Sequence, residues 1–240
     1  MTSIETDGYL QFEPPGGSGP APCIVLCPGR TGDIRGLAWL AEPLAERGFR
    51  VCGITYAPEA RYLVDDLDRV ADAATWLTRR DLVANDWVGV AGHSRGGAAA
   101  LLTAARDRRF RAVAALSPLT DNVRYMNALR DYAPSRYALL LEGRRAAPAE
   151  DPAYYRAISA IEHVDALTMP ILLVHGDMDL VNPPDHSLWL HDALIRAGHR
   201  HARLEVIPRA GHYFEHQYSG YSHDRVAALV ADWLAEQVRD

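Results

Sequence analysis

Trp87-Val-Gly-Val-Ala91-Gly92-His93-Ser94-Arg95-Gly96-Gly97, running directly into an alanine- and leucine-rich stretch at 98–105, decides how this chain is read. Residues 87–91 form a short apolar run of the kind that makes a buried strand, and 98–105 has helix-forming composition, so Ser94 falls on a strand-to-helix turn. Such a turn is tight, and side chains beside the serine would clash; Gly92 and Gly96 supply the missing bulk. The hydroxyl would then project from the carboxyl edge of a sheet with a helix N-terminus behind it, where backbone amides favour negative charge. Taken alone, the same residues also describe a glycine-rich turn with Ser94 as a helix N-cap. The surroundings favour a nucleophile.

Upstream, Cys23-Ile-Val-Leu-Cys27 reads as a buried strand cut off by Pro28-Gly29, and 37–47 as a helix that Gly48 ends. A second strand is expected over 50–56. An amphipathic helix follows over 64–80, with Val64, Leu67, Val70, Ala71, Ala74 and Leu77 on one face. Downstream, strands are expected at 112–116, 171–174 and 204–207, and helices at 184–197 and 224–238. Apolar strands alternating with helices imply a mostly parallel, doubly wound sheet covered on both faces, hence an α/β fold. The alternation breaks once, and residues 118–169, with Tyr125, Tyr132, Tyr137, Tyr154 and Tyr155 among arginines and prolines, are expected to form a partly helical lid within a single domain spanning 1–240.

A serine hydroxyl becomes a nucleophile when a base takes its proton and an acid orients that base. On a sheet of this kind the chain order is serine, acid, histidine. The loops after the later strands fill both slots, His175-Gly-Asp-Met-Asp179 and Pro208-Arg-Ala-Gly-His212. His212 is the expected base, with His216 as its rival; His175 is expected to pack or to bond the backbone of the acid loop. His93 should point away from the serine, and His186, His191, His199, His201 and His223 are expected at the surface. Spacing leaves Asp177 and Asp179 both open as the acid. Donors to a developing oxyanion are expected from two backbone amides, that of Arg95 and that of Arg30 in the loop Pro28-Gly-Arg-Thr-Gly32. If either arginine side chain faced the pocket, an anionic substrate would be expected. Tyr125, Tyr154 and Tyr155 are the candidate substrate-binding side chains of the lid.

The 240 residues are 48% hydrophobic and 23% charged with a net charge of −6, values that exclude a disordered or coiled-coil chain. All 25 basic residues are arginines without a dense tract, so no nucleic-acid partner is expected. There is no apolar run of membrane-spanning length and no secretory leader pattern, so a cytoplasmic protein without a membrane partner is expected. Cys23, Cys27 and Cys52, odd in number and set in strands, are expected as reduced buried thiols rather than metal ligands. No metal or cofactor is expected. The expected partner is a small-molecule substrate, and a homo-oligomer is left open.

Together these residues resemble the α/β-hydrolase superfamily from about Pro22 to the C-terminus. Gly92–Gly97, the His-Gly-x-x-Asp block at His175–Asp179 and Ala210-Gly211-His212 are similar to the prolyl oligopeptidase and dienelactone hydrolase branches, as is the approach Asp151-Pro152 through Tyr155 and then Val164 to Pro170. The resemblance implies Ser94 as nucleophile, Asp179 as acid, His212 as base, and the Arg30 and Arg95 amides as oxyanion donors. The chain departs from those branches in carrying serine where dienelactone hydrolases have cysteine. It also has no room within its 240 residues for a propeller, has Pro28 where many relatives have histidine, and places its Val-Asn-Pro-Pro run differently after Asp179. The expected activity is hydrolysis of a carboxylic ester, thioester or small amide through an acyl-enzyme. The alternatives are acyl transfer, a lyase or cyclisation step, a small peptidase, or a binding protein that keeps the pocket.

Overall fold

The computed structural model describes residues 3–17, 19–30, 32–56, 63–142, 146–216 and 220–239. Thr31 of the expected oxyanion loop and the side chain of Val64 lie outside the described residues.

Two short strands, β1 (Ser3–Thr6) and β2 (Tyr9–Phe12), precede β3 (Ala21–Cys27), a 3-10 turn at Ile34–Leu37, α1 (Ala38–Glu46), β4 (Arg50–Gly53), α2 (Leu63–Arg79), β5 (Val83–His93), α3 (Arg95–Arg106) and β6 (Phe110–Leu116). Then come α4 (Asn122–Tyr132), α5 (Pro134–Glu142), α6 (Pro152–Ala157) and a 3-10 segment at Ala160–Ala166. The chain returns to the sheet in β7 (Ile171–Gly176), α7 (Asp185–Arg196) and β8 (Ala202–Ile207), adds a small ribbon of β9 (Glu215–His216) and β10 (Gly220–Tyr221), and closes with α8 (His223–Arg239).

Eight strands form one sheet in the order β1-β2-β4-β3-β5-β6-β7-β8. From β4 to β8 every pairing is parallel, while β1 and β2 join antiparallel at one edge. This is the α/β-hydrolase architecture expected from the sequence, with the N-terminal hairpin added. Alternation along the strands feeds two cores. Cys23, Val25, Val88, Val90, Ile171 and Leu173 pack on one face with α2, α3 and α7; Ile24, Leu26, Ala91, Leu172 and Val174 pack on the other with α1 and α8.

The interruption between β6 and β7 has a small core of its own, built from Tyr125, Met126, Leu129, Tyr155 and Ile158. Its helices start where the sequence supplies caps: the Asp121 carboxylate accepts from the Arg124 amide, and Asp151 accepts from the Tyr154 amide just ahead of Pro152. No helix among the described residues is long and apolar enough to cross a membrane.

Because β3, β5, β7 and β8 are parallel, the loops after Cys27, His93, Gly176 and Ile207 all leave one edge of the sheet. The expected site residues lie on these loops.

Candidate active site

Ser94 stands at φ 57°, ψ −117°, a region that a side-chain-bearing residue enters only under constraint. Two backbone bonds fix it there: its N–H donates to the Leu116 carbonyl at 2.8 Å, and its own carbonyl accepts from the Ala98 amide at 3.1 Å. The turn closes only without flanking side chains. A Cβ on Gly92 would lie 2.3 Å from the Gly96 carbonyl oxygen, and one on Gly96 would lie 2.1 Å from that of Cys27. Either contact is shorter than atoms tolerate, so both positions require glycine.

His212, in the loop after β8, has Nε2 2.9 Å from Ser94 Oγ and Nδ1 2.7 Å from Asp179 Oδ2. A carboxylate only accepts, so Nδ1 carries the ring proton and Nε2 presents its lone pair to the serine hydroxyl. Of the two acids that spacing leaves open, Asp179 reaches His212, while Asp177 accepts from the Arg209 amide at 2.5 Å. The rival His216 sits on β9, paired with Gly220.

Asp179 is 2% exposed and heavily hydrogen-bonded. Oδ1 accepts from the amides of Val181 and Asn182, each at 2.8 Å, and Oδ2 accepts from His212 and, at 3.2 Å, from His175 Nε2. Burial alone would raise its pKa; the bonds from His175 and His212 and the Asn182 amide outweigh burial and hold the carboxyl well below the ordinary carboxylate range. Asn182 also donates through Nδ2 to the Ser117 carbonyl at 2.9 Å, tying the acid loop to the end of β6.

Two further histidines brace this relay. His175 Nε2 faces two acceptors, Asp179 and the Asn182 carbonyl at 2.8 Å, so it bears the proton and Nδ1 accepts from the Ser187 hydroxyl at 2.7 Å. The expected bond to the acid-loop backbone is present, and the bond to the carboxylate is additional. His93 turns its ring to the base loop and donates from Nε2 to the His212 carbonyl at 2.7 Å. Burial, then the neighbouring His212 ring, push its pKa down to about 4, so it stays neutral in ordinary buffers.

His186 corrects one expectation. It is buried at 2% exposure instead of lying at the surface, because the first turn of α7 tucks beneath the start of α4, where its Nδ1 accepts weakly from the Asp121 amide. Burial pushes its pKa down to about 3. His201 is exposed, and His191, His199 and His223 are half-buried.

A cavity of about 220 Å3 opens beside Ser94, with Gly29, Arg30, Trp39, Tyr213, Tyr221 and His223 among its lining residues. A Cβ on Gly29 would lie 3.5 Å from His93 Nδ1 and 3.8 Å from Ser94 Cβ, so the loop that carries Arg30 passes close to the serine. The Arg95 side chain turns away to a bidentate pair with the buried Asp66, Nε to Oδ2 at 2.5 Å and Nη2 to Oδ1 at 2.9 Å, and lies over the Tyr56 ring. Its charge is engaged by Asp66 rather than presented to a substrate anion.

The insertion tyrosines lie apart from this cavity. Tyr155 is fully buried with its hydroxyl on the Ala146 carbonyl at 2.8 Å, and Tyr154 packs edge-on against it. Tyr125 donates to the Val181 carbonyl at 3.1 Å, linking α4 to the acid loop. The three cysteines are buried and unpaired; burial pushes the Cys23 thiol up to about 12 and raises those of Cys27 and Cys52 as well, so none supplies a thiolate.

Residues 57–239 match the model of the prolyl oligopeptidase family. No curated protein matches the chain by sequence. Among solved structures, the fold is similar to Est1E from Butyrivibrio proteoclasticus (TM-score 0.75, 22% identity, covering 100% of this chain and 99% of that one). It is similar also to esterase 2 of Thermogutta terrifontis, solved phosphonylated by sarin (TM-score 0.76, 19% identity, 96% and 89%). The acylaminoacyl peptidase of Pyrococcus horikoshii aligns with TM-score 0.79 at 15% identity, over 97% of this chain but 39% of that one.

Proposed function

The chain belongs to the prolyl oligopeptidase family and is a serine hydrolase, and from that premise we propose that it cleaves carboxylic esters of small molecules through an acyl-enzyme on Ser94. One observation carries the proposal: the relay Ser94 Oγ to His212 Nε2 to Asp179 Oδ2, with links of 2.9 and 2.7 Å.

In the first half-reaction Ser94 Oγ attacks the ester carbonyl carbon as its proton passes to His212 Nε2. The Asp179 carboxylate stabilises the resulting imidazolium and keeps the ring oriented. The carbonyl oxygen, now negative, is received by the amides of Arg30 and Arg95, the second of which opens α3 and so adds the helix N-terminus. Collapse breaks the bond to the alcohol oxygen, which takes the proton from His212. Water then repeats the sequence against the acyl-enzyme, releasing the acid and restoring the Ser94 hydroxyl.

Esters are favoured over peptides by the extent of the likenesses. The chain aligns with nearly the whole of two proteins named as esterases or Est1E, whereas it spans 39% of the acylaminoacyl peptidase. The test is a series of p-nitrophenyl esters of increasing acyl length beside an aminoacyl anilide. Ester turnover that disappears in Ser94→Ala is expected; anilide turnover exceeding that of every ester would replace this reading with a peptidase.

A further inference from the structure

Proton transfer along the Ser94–His212–Asp179 relay does not need the wall of the cavity beside Ser94, yet that wall is assembled from distant parts of the chain. The Trp39 indole, from α1, stacks on the His223 imidazole with ring centres 4.1 Å apart and planes 10° apart. The Tyr221 ring lies 4.6 Å from the same imidazole, tilted by 32°. His223 is held in place by donating from Nε2 to the Tyr213 carbonyl at 2.9 Å. The remaining lining is Leu37, His93, Ser94, Tyr213, Gly29 and Gly36, with Arg30 and Asp33 as its charged members.

Ring faces and edges of this kind recognise another ring. A dry cavity of about 150 Å3 holds benzene, so about 220 Å3 has room for one ring with a small substituent. The half of the substrate is inferred from the neighbour of the base: Tyr213, which lines the cavity, directly follows His212, whose Nε2 contacts Ser94 Oγ and would hand its proton to the departing oxygen.

We propose that this cavity is the leaving-group subsite and takes a single aromatic ring, so that the preferred substrates are esters of aromatic alcohols. The inference rests on the ester-hydrolase reading above and specifies the substrate class of that site. The arene enters against Trp39 and Tyr221, its ester oxygen lies toward His212, and the acyl group extends away from this cavity.

The experiment compares kcat/KM for benzyl acetate and butyl acetate, where the ring is in the alcohol half, with ethyl phenylacetate and ethyl butanoate, where it is in the acyl half. A benzyl-over-butyl preference of about tenfold is expected, lost in Trp39→Ala and in Tyr221→Ala and retained in Trp39→Phe. Tyr221 is 65% exposed, so its replacement reports on the subsite even if Trp39→Ala compromises folding. Ester turnover with no arene preference, or with the preference only in the acyl half, overturns the subsite assignment. Binding of benzyl alcohol to Ser94→Ala, followed by NMR, separates the two levels. Binding that depends on Trp39 with no ester turned over by the unmodified protein supports the subsite and overturns the ester reading. No binding together with normal ester turnover overturns the subsite alone.

Discussion

His93 Nε2 donates a hydrogen bond to the backbone carbonyl of His212 at 2.7 Å, so the residue immediately before the serine holds in place the residue that activates it. The nucleophile turn and the base loop arrive from β5 and β8. The base loop is held besides by the bonds from the Met178 amide to the Ala210 carbonyl at 3.0 Å and from the Gly211 amide to the Glu215 carbonyl at 2.9 Å, and the His212 ring by Asp179.

Replacing His93 with leucine removes that tie while keeping the site apolar. Misplacement of a base by a fraction of an ångström is costly, so kcat is expected to fall by about 10- to 100-fold with a smaller change in KM. Steady-state kinetics beside a circular-dichroism check of folding measures it, and an unchanged kcat refutes a positioning role.

Asp179→Asn and Asp177→Asn give a paired comparison. An amide at 179 can donate to Nδ1 and so favours the wrong tautomer of His212; kcat is expected to drop by about 10⁴-fold. Among the described residues Asp177 accepts from the Arg209 amide, a bond that asparagine can still accept, so its replacement should change kcat by less than about threefold. Equal effects at the two positions would place the acid wrongly.

At Arg30 the backbone, not the side chain, is the proposed participant. Arg30→Ala retains the amide N–H and Arg30→Pro deletes it. The proline variant is expected to lose about 10²- to 10³-fold in kcat relative to the alanine variant. Equal kcat values for the two would remove Arg30 from the oxyanion site.

Acid should destabilise the fold before the carboxylates titrate. Folding lowers the pKa of His93 from 6.5 to about 4 and that of His186 from 6.5 to about 3. Between about pH 6.5 and 4 the unfolded chain therefore holds more protons than the folded one, and stability falls as pH falls. Each histidine contributes a slope of up to about 1.4 kcal/mol per pH unit. Urea unfolding across this range should show the decline, and His186→Gln should flatten it; a pH-independent midpoint would contradict the burial of both rings.

The parallel core is legible because its strands are short apolar runs punctuated by glycine and proline, and Ser94, His212 and the pair Asp177 and Asp179 are legible because each follows such a run, with Asp179 singled out only by the resemblance. The N-terminal hairpin was not read, although Asp7-Gly8, both at positive φ, is a favoured two-residue hairpin turn between β1 and β2. His186 was misplaced because helical position gives no account of which neighbour covers a helix's first turn. The aromatic wall is not legible in the sequence for a related reason: Trp39 and His223 are 184 positions apart, and their stacking arises from the packing of α1 near the start of α8. Tyr213, adjacent to His212, was the one local signal for that wall.

The most direct measurement of the central claim is intact-mass and peptide-mapped labelling with a fluorophosphonate. One adduct per chain on Ser94 is predicted, absent in Ser94→Ala and strongly slowed in His212→Ala. A folded protein that takes up no label, or one labelled equally after Ser94 is removed, would contradict Ser94 as the nucleophile.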